Sequence, residues 1–166
     1  MSEDISTVTE EALEKCTMVV CSGDMDKVMA AFIIATTAAS MGRETSMFFT
    51  FWGIKAIQKG NPTGSTFFER MLSVMNRGGI ERIGPSRLNF MGIGRWMFQK
   101  MMKDKGVTPL TELRQMAIDL GVTLLACQMS MDVMGIKRED LIDEVAGVVG
   151  AATYCGLALE GKTMFI

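Results

Sequence analysis

The chain has 166 residues, a net charge of −2 and an apolar share of 48%. Such a length suits a single domain with a sizeable core, and the slight acidity argues against nucleic acid as a partner, which calls for a basic footprint. There is no histidine. That excludes a Ser-His-Asp triad, a Cys-His pair and His-ligated zinc or haem built from this chain, and leaves cysteine as the leading nucleophile near neutral pH.

The four cysteines, Cys16, Cys21, Cys127 and Cys155, form no C-x-x-C pair. The spacing gives no zinc ribbon, iron–sulfur site or thioredoxin motif, so no metal is expected. Neither a G-x-G-x-x-G fingerprint nor a Walker A loop occurs, and no cofactor is expected. Met1-Ser2-Glu3-Asp4 is acidic and lacks an apolar signal segment, which points to a reducing cytoplasm rather than a disulfide scaffold. The longest uncharged runs, 28–42 and 145–159, hold 15 residues each, short of the roughly 18–20 needed to span a bilayer. Seventeen methionines suit core filling or an adaptable contact surface.

In chain order, residues 1–15 read as an N-terminal extension with a helical pattern over 8–15. A short β run, 17–20, ends at Cys21-Ser22-Gly23-Asp24. Asp24 is placed to cap a helix over 25–40 that Gly42 ends. Residues 45–52, rich in β-branched and aromatic side chains, predict a second strand, parallel to the first across a right-handed crossover. A further helix can start over 53–58, and Lys59-Gly60-Asn61-Pro62-Thr63-Gly64 is a loop. The segment 66–105 delays the next strand and reads as an inserted helical arm with helices over 67–76 and 94–105. The second of these sets Trp96, Met97, Phe98, Met101 and Met102 beside Arg95, Lys100, Lys103 and Lys105. It covers the core or an oligomer interface, or it serves 91–105 as a peripheral contact with a membrane or membrane protein. Pro109 opens a helix, with Thr108 as N-cap, that runs to Leu120 before Gly121. A strand over 122–126 follows, with a short helix at Cys127. Residues 140–145 form a turn or strand, 147–159 a small-residue helix and 162–166 a last strand. The pattern predicts a three-layer α/β/α sandwich on a mainly parallel sheet of four or five strands.

In an open parallel sheet, ligands bind beyond the carboxyl ends of the strands. Cys21 and Cys127 both stand at such ends, on one rim. At Cys127 a helix begins, and its amides and dipole favour thiolate over thiol. Gln128, Ser130 and Asp132 are the polar groups nearby to hold a bound group, and Lys137 and Arg138 add positive potential if the chain folds back. Cys21-Ser22-Gly23-Asp24 presents amides at a helix N-terminus, where an anion can sit. Cys16 reads as a packing residue, and Cys155 as a packing residue or a second thiol.

Three segments resemble the DsrE/DsrF/DsrH-like family, in the branch labelled DsrE-like or peroxiredoxin-like. They are Val19-Val20-Cys21-Ser22-Gly23-Asp24-Met25-Asp26-Lys27, the string Cys127-Gln128-Met129-Ser130-Met131-Asp132-Val133-Met134-Gly135-Ile136, and the stretch from Gly150-Ala151-Ala152-Thr153-Tyr154 onward. The similarity runs from Cys16 to Ile166 as a single domain. The Pro, Thr and Cys arrangement of a peroxiredoxin site is not present. The resemblance implies a parallel α/β fold, frequent homo-oligomers, and sulfur trafficking in which a cysteine carries sulfane sulfur as a persulfide and exchanges it with TusA-type carriers or rhodaneses. Cys127 corresponds to the sulfur-carrying cysteine, with Cys21 as a secondary thiol. Two other readings stay open: a non-catalytic oligomeric binding or assembly protein that docks a membrane or sulfur-metabolism partner, and a redox switch through a Cys21–Cys127 disulfide.

Overall fold

The computed structural model describes residues 15–75, 78–87, 92–158 and 161–166. The predicted helix over 8–15 lies outside these residues, except for Lys15, which opens the first strand. Five strands pair in parallel: β1 (Lys15–Val20), β2 (Glu44–Phe49), β3 (Thr123–Cys127), β4 (Val145–Val149) and β5 (Lys162–Phe165), in the order β4-β3-β2-β1-β5. The helices are α1 (Met25–Ser40), α2 (Phe67–Met75), α3 (Ile93–Asp104), α4 (Leu110–Asp119), α5 (Gln128–Met134) and α6 (Ala151–Ala158).

Side chains alternate across the sheet. Met18, Val20, Met47, Phe49, Leu124 and Ala126 enter the major core. There α1 presents Val28, Ala31, Phe32 and Ala35, all fully buried, on one stripe of its surface. Leu113 and Ala117 of α4 and Met131 of α5 join the same core. On the other face Phe48, Leu125 and Cys127 gather around Tyr154 of α6, whose ring stacks on Phe48 at 4.5 Å.

Strand order explains this inequality. From β1 to β4 the chain steps in one direction, so crossovers of one hand lay their helices on one face. The return from β4 to β5 runs the opposite way, which puts α6 on the other face. An eight-residue helix covers little, and Phe165 of β5 is left 73% exposed.

Several predicted boundaries move. The second strand stops at Phe49, not at residue 52. Phe51 takes φ +44°, and residues Phe51–Ile57 wind into a 3-10 segment. Phe51 and Trp52 have high strand propensity, yet they sit exposed on the rim. Residues 145–149 are a strand rather than the start of a helix over 147–159, and 140–145 is no strand of its own: a 3-10 turn (Arg138–Asp140) leads into β4. A register shift opposite Leu124 and Leu125 leaves Ala146 without a partner across the ladder, and so short an apolar run carries no decisive period. Pro109 stands at the N-cap of α4, in place of Thr108. Asp24 does occupy the N-cap of α1, but its side chain makes no capping bond. The inserted region holds α2 and α3 as expected, and Phe98 and Met102 of α3 pack on the major core. Among the described residues no helix is long and apolar enough to cross a membrane.

Candidate thiol site and its family

Cys127 is the last residue of β3 and the N-cap of α5. It lies in register with Val149, the last residue of β4. From these neighbouring strand ends the chain departs to opposite faces, to α5 on the major-core side and to α6 on the other. In open α/β sheets, ligands bind beyond the strand ends at a divergence of this kind.

The Cys127 thiol is buried, 4% exposed. Burial alone raises a thiol pKa, but here hydrogen bonding outweighs it. The Ser130 hydroxyl and amide, the Thr50 hydroxyl and the Met129 amide all favour the thiolate, and the net shift is downward. The two amides belong to the second and third residues of α5, whose N–H groups lack partners within the helix. Ser130 is fully buried and lies 2.9 Å from the Thr50 hydroxyl. That bond joins the start of α5 to the end of β2, and since it takes one of the two hydroxyl protons, the other is left to point at the sulfur. Thr50 was not among the residues singled out from the sequence. Its signal was positional: it follows β2 at the level where Cys127 ends β3.

A depressed pKa has a stability signature. The folded thiol ionises below its unfolded value of about 8.5, so its contribution is complete above that value and disappears as pH falls through the folded pKa. The stability difference between wild type and Cys127→Ser therefore grows on raising pH through this window, as urea titrations from pH 6 to pH 9.5 will show. A difference that stays flat with pH contradicts a depressed pKa. Cys16, whose thiol burial pushes up, is common to both proteins and cancels.

The other predicted site residues divide. Gln128 and Asp132 are exposed and bond each other on the surface of α5, Nε2 to Oδ1 at 2.7 Å. Lys137 pairs with Glu139 at 3.8 Å, and Arg138 donates to the carbonyls of Ile142, Asp143 and Val145. Both serve the turn before β4. Cys155 is exposed on α6, contrary to a packing role, whereas Cys16 is half-buried against the major core.

Cys21 is half-buried at the end of β1. Its amide bonds Ile166 O at 2.9 Å and its carbonyl accepts from Gly53 at 3.1 Å. The Asp24 amide is taken by the Ser22 hydroxyl at 3.2 Å, and the Met25 amide by Gly84 O at 2.8 Å. Two amides of the expected anion turn, and the first amide of α1, are thus engaged within the protein. The register runs Val20–Phe49–Ala126, so Cys21, Thr50 and Cys127 follow in one row along the rim. Two strand spacings separate the cysteines, roughly 10 Å between backbones, beyond the ~7 Å that a disulfide tolerates. The Cys21–Cys127 switch is therefore not supported, and all four cysteines are free.

The sequence profile of the DsrE/DsrF/DrsH-like family matches residues 12–166. The chain belongs to this family. The DsrE-like sequence is 40% identical to the uncharacterized protein YrkE of Bacillus subtilis, over 92% of this chain and 96% of that protein. It is 29% identical to the sulfur carrier protein DsrE2 of Allochromatium vinosum, over 89% and 94% of the two chains. The crystal structure of the YchN protein from E. coli shares the fold, with a TM-score of 0.53 at 11% identity, covering 92% of this chain and 98% of that one.

Proposed function

We propose that this DsrE-like protein works in a sulfur relay and carries sulfane sulfur as a persulfide on Cys127. The observation that carries the reading is a buried thiol at the end of β3 that faces the Met129 and Ser130 amides and the Thr50–Ser130 hydroxyl pair. The similarity to a sulfur carrier protein supports it. The Cys127 thiolate attacks the outer sulfur of a donor persulfide, R–S–SH. A Cys127 S–S bond forms, the donor S–S bond breaks, and R–S⁻ leaves with the electron pair while the proton stays on the transferred sulfur. An acceptor thiolate then attacks that outer sulfur and returns Cys127 to its thiolate form. A TusA-type carrier or a rhodanese suits the partner role in a reducing cytoplasm. A second copy of the chain suits the thinly covered face of the sheet around α6. Cys21, two strands away, is at most a secondary thiol.

The test is loading followed by transfer. Incubation with a sulfane-sulfur donor adds about 32 Da, one sulfur atom, to the intact protein, and a TusA-type acceptor then removes it. Cys127→Ser shows no gain, while Cys21→Ser loads as wild type does. A gain retained in Cys127→Ser contradicts the reading.

The exposed face of α3 favours a second role beside this one. Ile93, Trp96, Met97 and Met101 are 48–67% exposed, and Lys100 lies 6.0 Å from the Trp96 ring centroid. With Lys100 and Lys103 on the same helix, this face suits an anionic bilayer surface.

A further inference from the structure

A second concave feature opens beside the loop that follows Cys21. It is a cleft of about 340 Å³ whose lining includes Gly23, Asp24, Lys55, Arg82, Gly84 and Arg95. Three cations thus face one carboxylate. That carboxylate is already engaged: Asp24 Oδ2 accepts from Lys27 Nζ at 3.0 Å and from the Ser22 hydroxyl at 2.9 Å.

The cations are built in. Arg95 Nη1 donates to Arg82 O at 3.0 Å, and Arg82 Nη1 donates to Gly60 O at 3.2 Å. One donor of each guanidinium is therefore tied to the backbone, and each fork keeps further N–H groups for a ligand. Lys55 is half-buried, with its ammonium 5.4 Å from the Trp52 ring centroid. Burial pushes its pKa down, against the pull of Asp24 in the other direction. A β-carbon on Gly23 would stand 2.7 Å from Trp52 O and 3.2 Å from Lys55 Cδ. The glycine lets the loop after Cys21 close down on Lys55 and form the cleft wall.

We propose that this cleft binds a small organic polyanion carrying two or more acidic groups. The guanidinium N–H groups left over by these backbone bonds can make charge-assisted, bidentate contacts with acidic groups, and Lys55 adds a further positive charge to the wall. The volume falls at the lower end of small-molecule sites, about 300–1,000 Å³. Inorganic cargo of one charge would leave most of the cleft empty. The site does not depend on sulfur chemistry at Cys127.

Isothermal titration of the full chain with citrate, at low ionic strength, is the test. The expected result is one saturable site that weakens with added salt. In Arg82→Gln/Arg95→Gln the affinity falls about tenfold or more, the loss of at least one charge-assisted bond. Lys55→Gln, which leaves the Arg95 bond to Arg82 O intact, also weakens binding. Lys162→Gln removes a like charge at the opposite end of the sheet and binds as wild type does. Gly23 and Gly84 amide resonances move on citrate addition. Wild-type affinity in both cleft variants, or an equal loss in Lys162→Gln, overturns the proposal.

Discussion

Thr50→Val combined with Ser130→Ala slows sulfur loading of Cys127 by about ten- to a hundredfold at pH 7, since the hydroxyl pair gives the thiolate one hydrogen bond and a bond to a charged group contributes roughly 1.5–3 kcal/mol. The sulfur keeps its burial and the Met129 and Ser130 amides, but it loses both hydroxyls that offset the desolvation. Each substitution roughly conserves side-chain shape or shortens it by one atom, so the strand and helix remain in place. Loading rates measured from pH 6 to pH 10 separate two causes. If the hydroxyls act by stabilising thiolate, the double variant approaches the wild-type rate at high pH, where its thiol ionises unaided. If they merely hold α5, the rate stays low at every pH. The single variants divide the effect unequally. Ser130 is fully buried and sets both its hydroxyl and its amide against the sulfur, whereas Thr50 acts partly through its 2.9 Å bond to Ser130.

Gly53→Ala destabilises the fold by about 3 kcal/mol or more, in the range of severe overpacking in a core that cannot relax. An added β-carbon at this position collides with the carbonyl oxygen of Val20, and its distance to the Val20 carbonyl carbon is 2.8 Å. The three nearest atoms all belong to the Val20–Cys21 peptide, so no flexible side chain is there to give way. The contact matters because the Gly53 amide bonds Cys21 O at 3.1 Å and the Thr50 amide bonds Val20 O at 3.0 Å. Those two bonds fix the turn out of β2, and with it the Thr50 hydroxyl. A milder variant therefore reveals the same coupling at the site. Phe51→Gly relaxes the positive φ of +44° without entering the core, and leaves urea stability near wild type. In Gly53→Ala the urea midpoint falls sharply and loading slows in whatever folded fraction remains. A wild-type midpoint would show that the rim is more plastic than these distances allow.

The placement of Cys127 was legible because a run of apolar residues ended at a thiol just before a helical pattern. The parallel sheet followed from the strand–helix–strand spacing around 17–52. Two things escaped. Thr50 carries no chemistry in isolation, and only the pairing of β2 with β3 brings its hydroxyl to Ser130. The cleft lined by Lys55, Arg82 and Arg95 draws on three segments separated by 40 positions of sequence, and no local pattern joins them. The boundary between β4 and α6 failed for a different reason. Val145-Ala146-Gly147-Val148-Val149 is as apolar as the helix that follows, and position in the sheet, not periodicity, makes it a strand. Gln128 and Asp132 stood near the thiol in sequence, yet helical geometry turns both to the surface.

The most direct test is the location of the sulfur among the four thiols. The protein is loaded with a sulfane-sulfur donor, its thiols and persulfides are alkylated, and the peptides containing Cys16, Cys21, Cys127 and Cys155 are weighed. The account predicts the additional sulfur, about 32 Da, on the Cys127 peptide, with little on the exposed Cys155 peptide despite its easier access. Sulfur spread in proportion to exposure, or concentrated at Cys155 or Cys21, contradicts it.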